Sequence, residues 1–229
     1  MTDLLLTQNE SLRRRLKRLP EFIPYLQNAE QLEPWHRKIF GCIIIRLRTH
    51  VRHLSVAYRA QYELEYIAWV ARNLLELAVW AKYTTLSNEN AKKLSNDQVI
   101  DMAELQKGML SLLNKYEPNH PELATLQEQG EWFKKTKGEM GIEEGSKHLN
   151  IGQIAKDVGM GDLFSGFNGL LSKLVHPTSF SIMLALDQSR ESQLRQSLFA
   201  LGQGAAEDAL RDLVTHFDSV NIDSSLLRP

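Results

Sequence analysis

Ile67-Ala68-Trp69-Val70-Ala71-Arg72-Asn73-Leu74-Leu75-Glu76-Leu77-Ala78-Val79-Trp80 is apolar on almost every side of a helix, interrupted only by Arg72, Asn73 and Glu76. A helix of that kind belongs at the centre of a packed domain. Arg72 and Glu76 stand four residues apart, so the turn of the helix brings them onto one face. An exposed pair at this spacing adds only about 0.2–0.5 kcal/mol. Among apolar neighbours the charges need partners. Tyr83, eleven residues on, returns to nearly the same face and extends the pair into a buried ladder.

A second polar cluster follows in Ser172-Lys173-Leu174-Val175-His176-Pro177. The hydroxyl precedes the histidine by one helical turn, and Pro177 ends the helix beside it. A helix C-terminus favours the protonated ring, which can pair with Glu76 or hold a phosphate, whereas the neutral ring can act as a base. Arg72, Glu76, Ser172 and His176 are therefore candidate site residues, expected to face one another across the core. The competing reading is a structural network that fixes helix register, with His176 capping its own helix.

Outward from these clusters the pattern is helical throughout. No proline or glycine falls between Cys42 and Lys107. Helices are expected from about Thr7 to Leu19, broken by Pro20 and Pro24, then from Pro34 to Ala57 and from Glu63 to Thr85. Further helices are expected from Ser87 to Tyr116, Pro121 to Lys137, Ile151 to Val158, Asp162 to His176 and Glu191 to Phe217. The glycine-rich segment 138–150 reads as a loop. Gly202 and Gly204 inside the last helix point to a close helix crossing. The fold class is all-α, an antiparallel multi-helix bundle, with residues 1–32 as a basic amphipathic N-terminal extension and 33–229 as the bundle domain.

Composition narrows the class of protein. A chain of 229 residues buries enough surface to fold without disulfides or structural metals. Cys42 is the sole cysteine and sits in an apolar stretch, so a buried structural thiol is expected, and an internal disulfide or thiolate zinc cluster is excluded. Leu4, Leu5 and Leu6 do not make a secretory signal, and no apolar run is long enough to cross a bilayer, so a cytoplasmic protein without membrane insertion is expected.

The net charge of −1 conceals an asymmetry. Residues 1–60 hold eleven Lys/Arg against five Asp/Glu, a balance of +6. Arg13, Arg14, Arg15, Lys17 and Arg18 cover much of the first helix and are candidate RNA-binding residues, with a solvated helix face as the alternative. Metal signatures fail: Glu33-x-x-His36 and Glu117-x-x-His120 have di-iron spacing, but Pro34 and Pro118 deny them the helix-interior backbone such ligands need. Gly159-x-Gly161 is not preceded by a strand, which removes a nucleotide loop. No cofactor and no metal are expected.

Arg46-Leu47-Arg48-Thr49-His50-Val51-Arg52-His53 contains Arg48 and His53 with four residues between them. That spacing resembles the Arg-x4–6-His signature of HEPN ribonucleases, in which a histidine handles the ribose 2′-hydroxyl proton and an arginine stabilises phosphate charge. The order Arg72-x-x-x-Glu76, Ile151-Gly-Gln-Ile-Ala-Lys-Asp-Val158, then Phe167-x-x-Leu170-x-Ser172-x-x-x-His176-Pro177 resembles a bacterial family of unknown function that is broadly HEPN-like. The resemblance spans roughly residues 35–185, and Phe167 stands where that pattern often has tyrosine. It implies a helical fold and the four positions Arg72, Glu76, Ser172 and His176, without supplying a mechanism; the first functional expectation is an HEPN-like protein that binds RNA or cleaves it without metal, in phage defence or a toxin–antitoxin context. His176 would then be the general acid/base, Arg72 would hold phosphate, and Glu76 and Ser172 would orient them. Arg48 and His53 are the alternative pair. It also implies a homodimer. A non-catalytic module that binds a protein partner, and a small-molecule sensor, are the alternatives.

Overall fold

The structure is a computed structural model that describes residues 10–143, 148–176, 178–184 and 187–228. Leu4–Leu6, Thr7, Gly145 and Pro177, on which part of the sequence reading falls, lie outside them. Every regular element among the described residues is helical. In chain order these are α1 (Glu10–Gln27), α2 (Pro34–Arg59), α3 (Leu64–Leu86), α4 (Asn88–Tyr116), α5 (Glu122–Met140), α6 (Ile151–Asp157), α7 (Gly161–Val175), α8 (Ser179–Leu184) and α9 (Gln188–Ser219), followed by a 3-10 turn at Ser225–Leu227. Two compact units result, one from residues 1–88 with 151–229 and the other from 89–150.

In the first unit α3 is central, as its sequence requires. It packs along α9 most extensively and also meets α2, α6 and α7. Leu64, Ile67, Ala68, Val70, Ala71, Leu74, Leu75, Ala78, Val79 and Ala81 are buried. On α9 the facing row includes Leu198, Phe199, Gly202, Ala206, Ala209, Leu210 and Leu213. Gly202 makes the close crossing possible: a Cβ there would lie 2.6 Å from Leu54 Cδ2 and 3.2 Å from Leu74 Cδ1. Gly204, by contrast, has open space where its Cβ would be, so it takes no part in the crossing.

Three sequence expectations are corrected. Pro20 and Pro24 do not end α1, which runs through both to Gln27. Their ring clashes and lost N–H bonds fall one turn apart on the solvent side. Leu12, Leu16, Leu19, Phe22 and Leu26 are fully buried on the other side and hold the helix by tertiary packing. Residues 10–27 pack in the first unit against α2 and the 3-10 turn. Cys42 is exposed, because the inward stripe of α2 passes through Phe40, Ile43 and Ile44 and leaves Cys42 and Ile45 outside. Finally, α8 arises in a segment where no helix was expected.

The second unit is a helical hairpin. Leu126 and Phe133 of α5 are buried, and the Gln106 amide on α4 donates to the Leu126 carbonyl. Gly141 closes α5 in the left-handed region at φ 67°, which its missing Cβ permits.

The glycine crossing gives a paired expectation. Gly202→Leu should lower unfolding stability by about 1–3 kcal/mol through overpacking against Leu54 and Leu74. Gly204→Ala should raise it by up to about 1 kcal/mol through helix propensity. Urea unfolding of the two variants beside the parent chain checks both signs.

Candidate nucleic-acid interface

Between Pro34 and Tyr62 the chain carries Arg37, Lys38, Arg46, Arg48, Arg52 and Arg59 and no carboxylate. Arg46, Arg48 and Arg52 are exposed and form no ion pair among the described residues. The regular helix decides which of these cations meets a histidine. Arg48 and His53 are five residues apart and so about 140° apart around α2, on different faces. Arg46 and His53 are seven apart, within about 20°, with His50 between them on the same face. The pair singled out by signature spacing is therefore separated, and Arg46, His50 and His53 are brought together instead.

That face lies beside α3. The tight turn from Ala60 to Glu63, with Gln61 at φ 52°, reverses the chain and lays α3 antiparallel to α2. Arg195 of α9, itself 9% exposed at the side chain, fixes the turn by donating to the Tyr62 carbonyl while pairing with Glu191 at 2.7 Å. As a result the His50 ring meets Trp69 edge-on at 5.9 Å and His53 at 6.0 Å. Trp69 stacks on Tyr66 at 5.8 Å, and Tyr66 meets Tyr62 at 5.7 Å. Five rings thus form one chain across the two helices. Trp69 is 42% exposed and Tyr62 47%, whereas His50 is buried.

The electrostatics of the two imidazoles follow from this placement. The Nδ1 atoms of His50 and His53 are buried without a hydrogen-bond partner. Burial first, then His53 and Arg46, push the His50 pKa below its ordinary value, so this ring is neutral at neutral pH. A neutral imidazole keeps a lone pair for accepting a proton or a hydroxyl hydrogen.

Of the other predicted residues, Arg72 and Glu76 do pair, Nε to Oε1 at 2.9 Å. Their side chains are 32% and 27% exposed, so the pair is half-buried rather than sealed in the core. It continues the open strip of α3 beyond Trp69, since positions 69, 72, 73 and 76 share one face. Tyr83 is buried and sets its ring against Trp80 at 6.1 Å. α7 packs on α3, but no hydrogen bond or ion pair among the described residues joins Ser172 or His176 to Arg72 or Glu76. His176 is exposed in extended backbone (φ −105°, ψ 147°), as a residue before proline should be.

The N-terminal cations divide. Arg15 is withdrawn from any surface role: it is buried, and its Nε donates to the Leu227 carbonyl at 2.6 Å. Arg13 and Arg14 both reach Glu10, at 3.2 and 3.5 Å. Lys17 and Arg18 are exposed. The sequence reading missed Arg46, His50, Trp69 and Tyr66, although the i, i+4, i+7 spacing of Arg46, His50 and His53 marks a shared helix face.

The profile of DUF5677, a family of unknown function, matches residues 52–193. The chain belongs to that family. The DUF5677 match takes in His53, the α3 rings, the Arg72–Glu76 pair, Ser172 and His176, and it begins just after Arg46 and His50. No curated protein and no solved structure matches the chain. No helix among the described residues is long and apolar enough to cross a membrane.

The second unit holds a separate titratable cluster. His148 Nδ1 lies 3.0 Å from Asp101 and 3.5 Å from Asp97, and its Nε2 lies 2.9 Å from Glu104. The hydrogen bond to Glu104 above all raises its pKa, which favours the protonated ring, and the ring joins segment 148–150 to α4, where Asp97 also accepts from Leu149 N at 2.9 Å. Asp97, Asp101 and His148 have ligand atoms close enough for a cation, which would have to displace the ring proton.

Buried neutral histidines also govern acid stability. His36, stacked between Trp35 and Phe40 with its Nε2 unpartnered, is lowered to about 4 by burial and by His216. His50 and His216 are lowered in the same sense. The unfolded chain therefore binds more protons between pH 6.5 and 4. The full contribution is present above 6.5, is lost as pH falls through that window, and for His36 is on the order of 3 kcal/mol. His36→Phe should flatten the loss, measured by urea midpoints across that range.

Proposed function

We propose that this DUF5677 protein binds RNA on the joined faces of α2 and α3, as an HEPN-like protein. The observation that carries the reading is the carboxylate-free α2, which presents Arg46 and His53 on one face beside the exposed Trp69. Arginines without counter-carboxylates attract phosphate and contact it through forked N–H groups.

The same residues support metal-independent cleavage. One imidazole takes the proton of a ribose 2′-hydroxyl as O2′ bonds to phosphorus. The P–O5′ bond then breaks with a proton delivered to O5′, leaving a 2′,3′-cyclic phosphate and a 5′-hydroxyl. His53, half-exposed, is the acid/base candidate; Arg46 faces the charge on phosphorus, and buried His50 positions His53 from behind.

The test is incubation of a mixed RNA pool with EDTA. Cleavage to cyclic-phosphate ends is expected, lost on His53→Ala and retained by His176→Ala. The reverse pattern would move catalysis to the end of α7. Binding without cleavage would leave an RNA-binding protein, and Arg46→Ala with Arg52→Ala should then lower both the affinity and its dependence on salt.

A second reading, a protein-interaction role, rests on the second unit. Met102, Leu105, Met109, Leu112 and Tyr116 recur at alternating spacings of three and four along α4, and all are 47% exposed or more. That is the seam a second helix covers. A second copy of α4 laid along this face would cover all five side chains. Sedimentation should give a dimer that Leu105→Glu with Leu112→Glu converts to monomer.

A further inference from the structure

The ring chain on α3 does something that phosphate attraction does not require. Trp69 is a large apolar residue left open midway along α3, and its backbone is held by Asn73 Nδ2 donating to its carbonyl at 2.7 Å. Tyr66 lies against it with the planes 30° apart, and Tyr62 continues the row to the turn that Arg195 clamps. At the other end His50 joins the row to the face of Arg46 and His53. Nearly half-exposed rings of Trp69 and Tyr62, joined through His50 to the face that carries the exposed Arg46, combine a surface for flat π-systems with one for a phosphate.

We propose that Tyr62, Tyr66 and Trp69 are a base-stacking platform and that the RNA bound here is single-stranded. The inference rests on the RNA-binding reading and adds the substrate class. Bases inside a duplex already stack on each other and offer no free face to protein rings, whereas unpaired bases do. The row matches a strand laid along α3 with its phosphates toward α2: ring centroids follow one another at 5.7 and 5.8 Å, and Arg46 lies beyond His50 on the α2 side. Of the carboxylates near the row, Glu76 is tied to Arg72, which leaves Glu63 and Glu65 at the Tyr62 end as the ones that oppose a phosphate. An acidic protein partner would suit the arginines equally but gives no reason for a continuous row of open rings.

Fluorescence anisotropy with three labelled RNAs of equal length tests this: a single strand, the same strand in a duplex, and an abasic strand with the same phosphates. The single strand should bind at least about fivefold more tightly than the abasic strand. Trp69→Ala should remove that advantage while leaving abasic binding unchanged, and Trp69→Phe should restore most of it. Equal affinity for the base-containing and abasic strands, or a Trp69→Ala effect equal on both, overturns the platform while leaving phosphate binding intact. If no RNA binds at low salt, the RNA-binding reading itself falls, and the platform with it. Unchanged thermal unfolding of Trp69→Ala controls for folding, as expected for a ring so exposed.

Discussion

The close crossing of α9 over α3 is the constraint on which the first unit depends. Gly202 lets α9 approach until Leu54, Ala71 and Leu74 fill the space a Cβ would need. With α9 on one side and α2, α6 and α7 on others, α3 has a single open strip. Whatever an almost wholly apolar helix cannot bury must appear there. The strip holds Tyr66, Trp69, the half-buried Arg72–Glu76 pair and Asn73.

From that crossing the site follows in steps. The short turn after α2 sets the register of α2 against α3, and Arg195, anchored on α9, holds the turn by its Tyr62 carbonyl. Register then determines that His50, and not Arg48 or Arg52, stands opposite Trp69. A guanidinium buried at 9% exposure is costly, and here Glu191 and a backbone carbonyl satisfy it. Its contribution is positional: without it the turn would depend on Gln61, whose positive φ is itself unfavourable for a residue with a Cβ.

The helices themselves were legible because hydrophobic period and proline–glycine punctuation act locally. The central position of α3 could be read from its composition, and the role of Gly202 from its place in a helix. What failed depended on neighbours distant in sequence. Pro20 and Pro24 look like breakers until the buried row from Leu12 to Leu26 outweighs them. Arg15 looks like one cation among five, yet its partner Leu227 lies over two hundred residues away. Arg48 and His53 were chosen by a signature spacing that a straight helix turns apart, whereas Arg46, His50 and His53 obeyed the helical period but had no familiar pattern to draw attention. Trp69 was counted as core because its helix was, and only the register of α2 against α3 leaves it open.

The two kinds of positive group on this face behave differently. Guanidiniums stay charged at every physiological pH, so Arg46 supplies a constant positive charge beside His50 and His53. His50 is kept neutral by the same burial that seats it against Trp69. His50 therefore adds no charge of its own beside Arg46, and it backs the His53 ring at 6.0 Å without altering the field on that face.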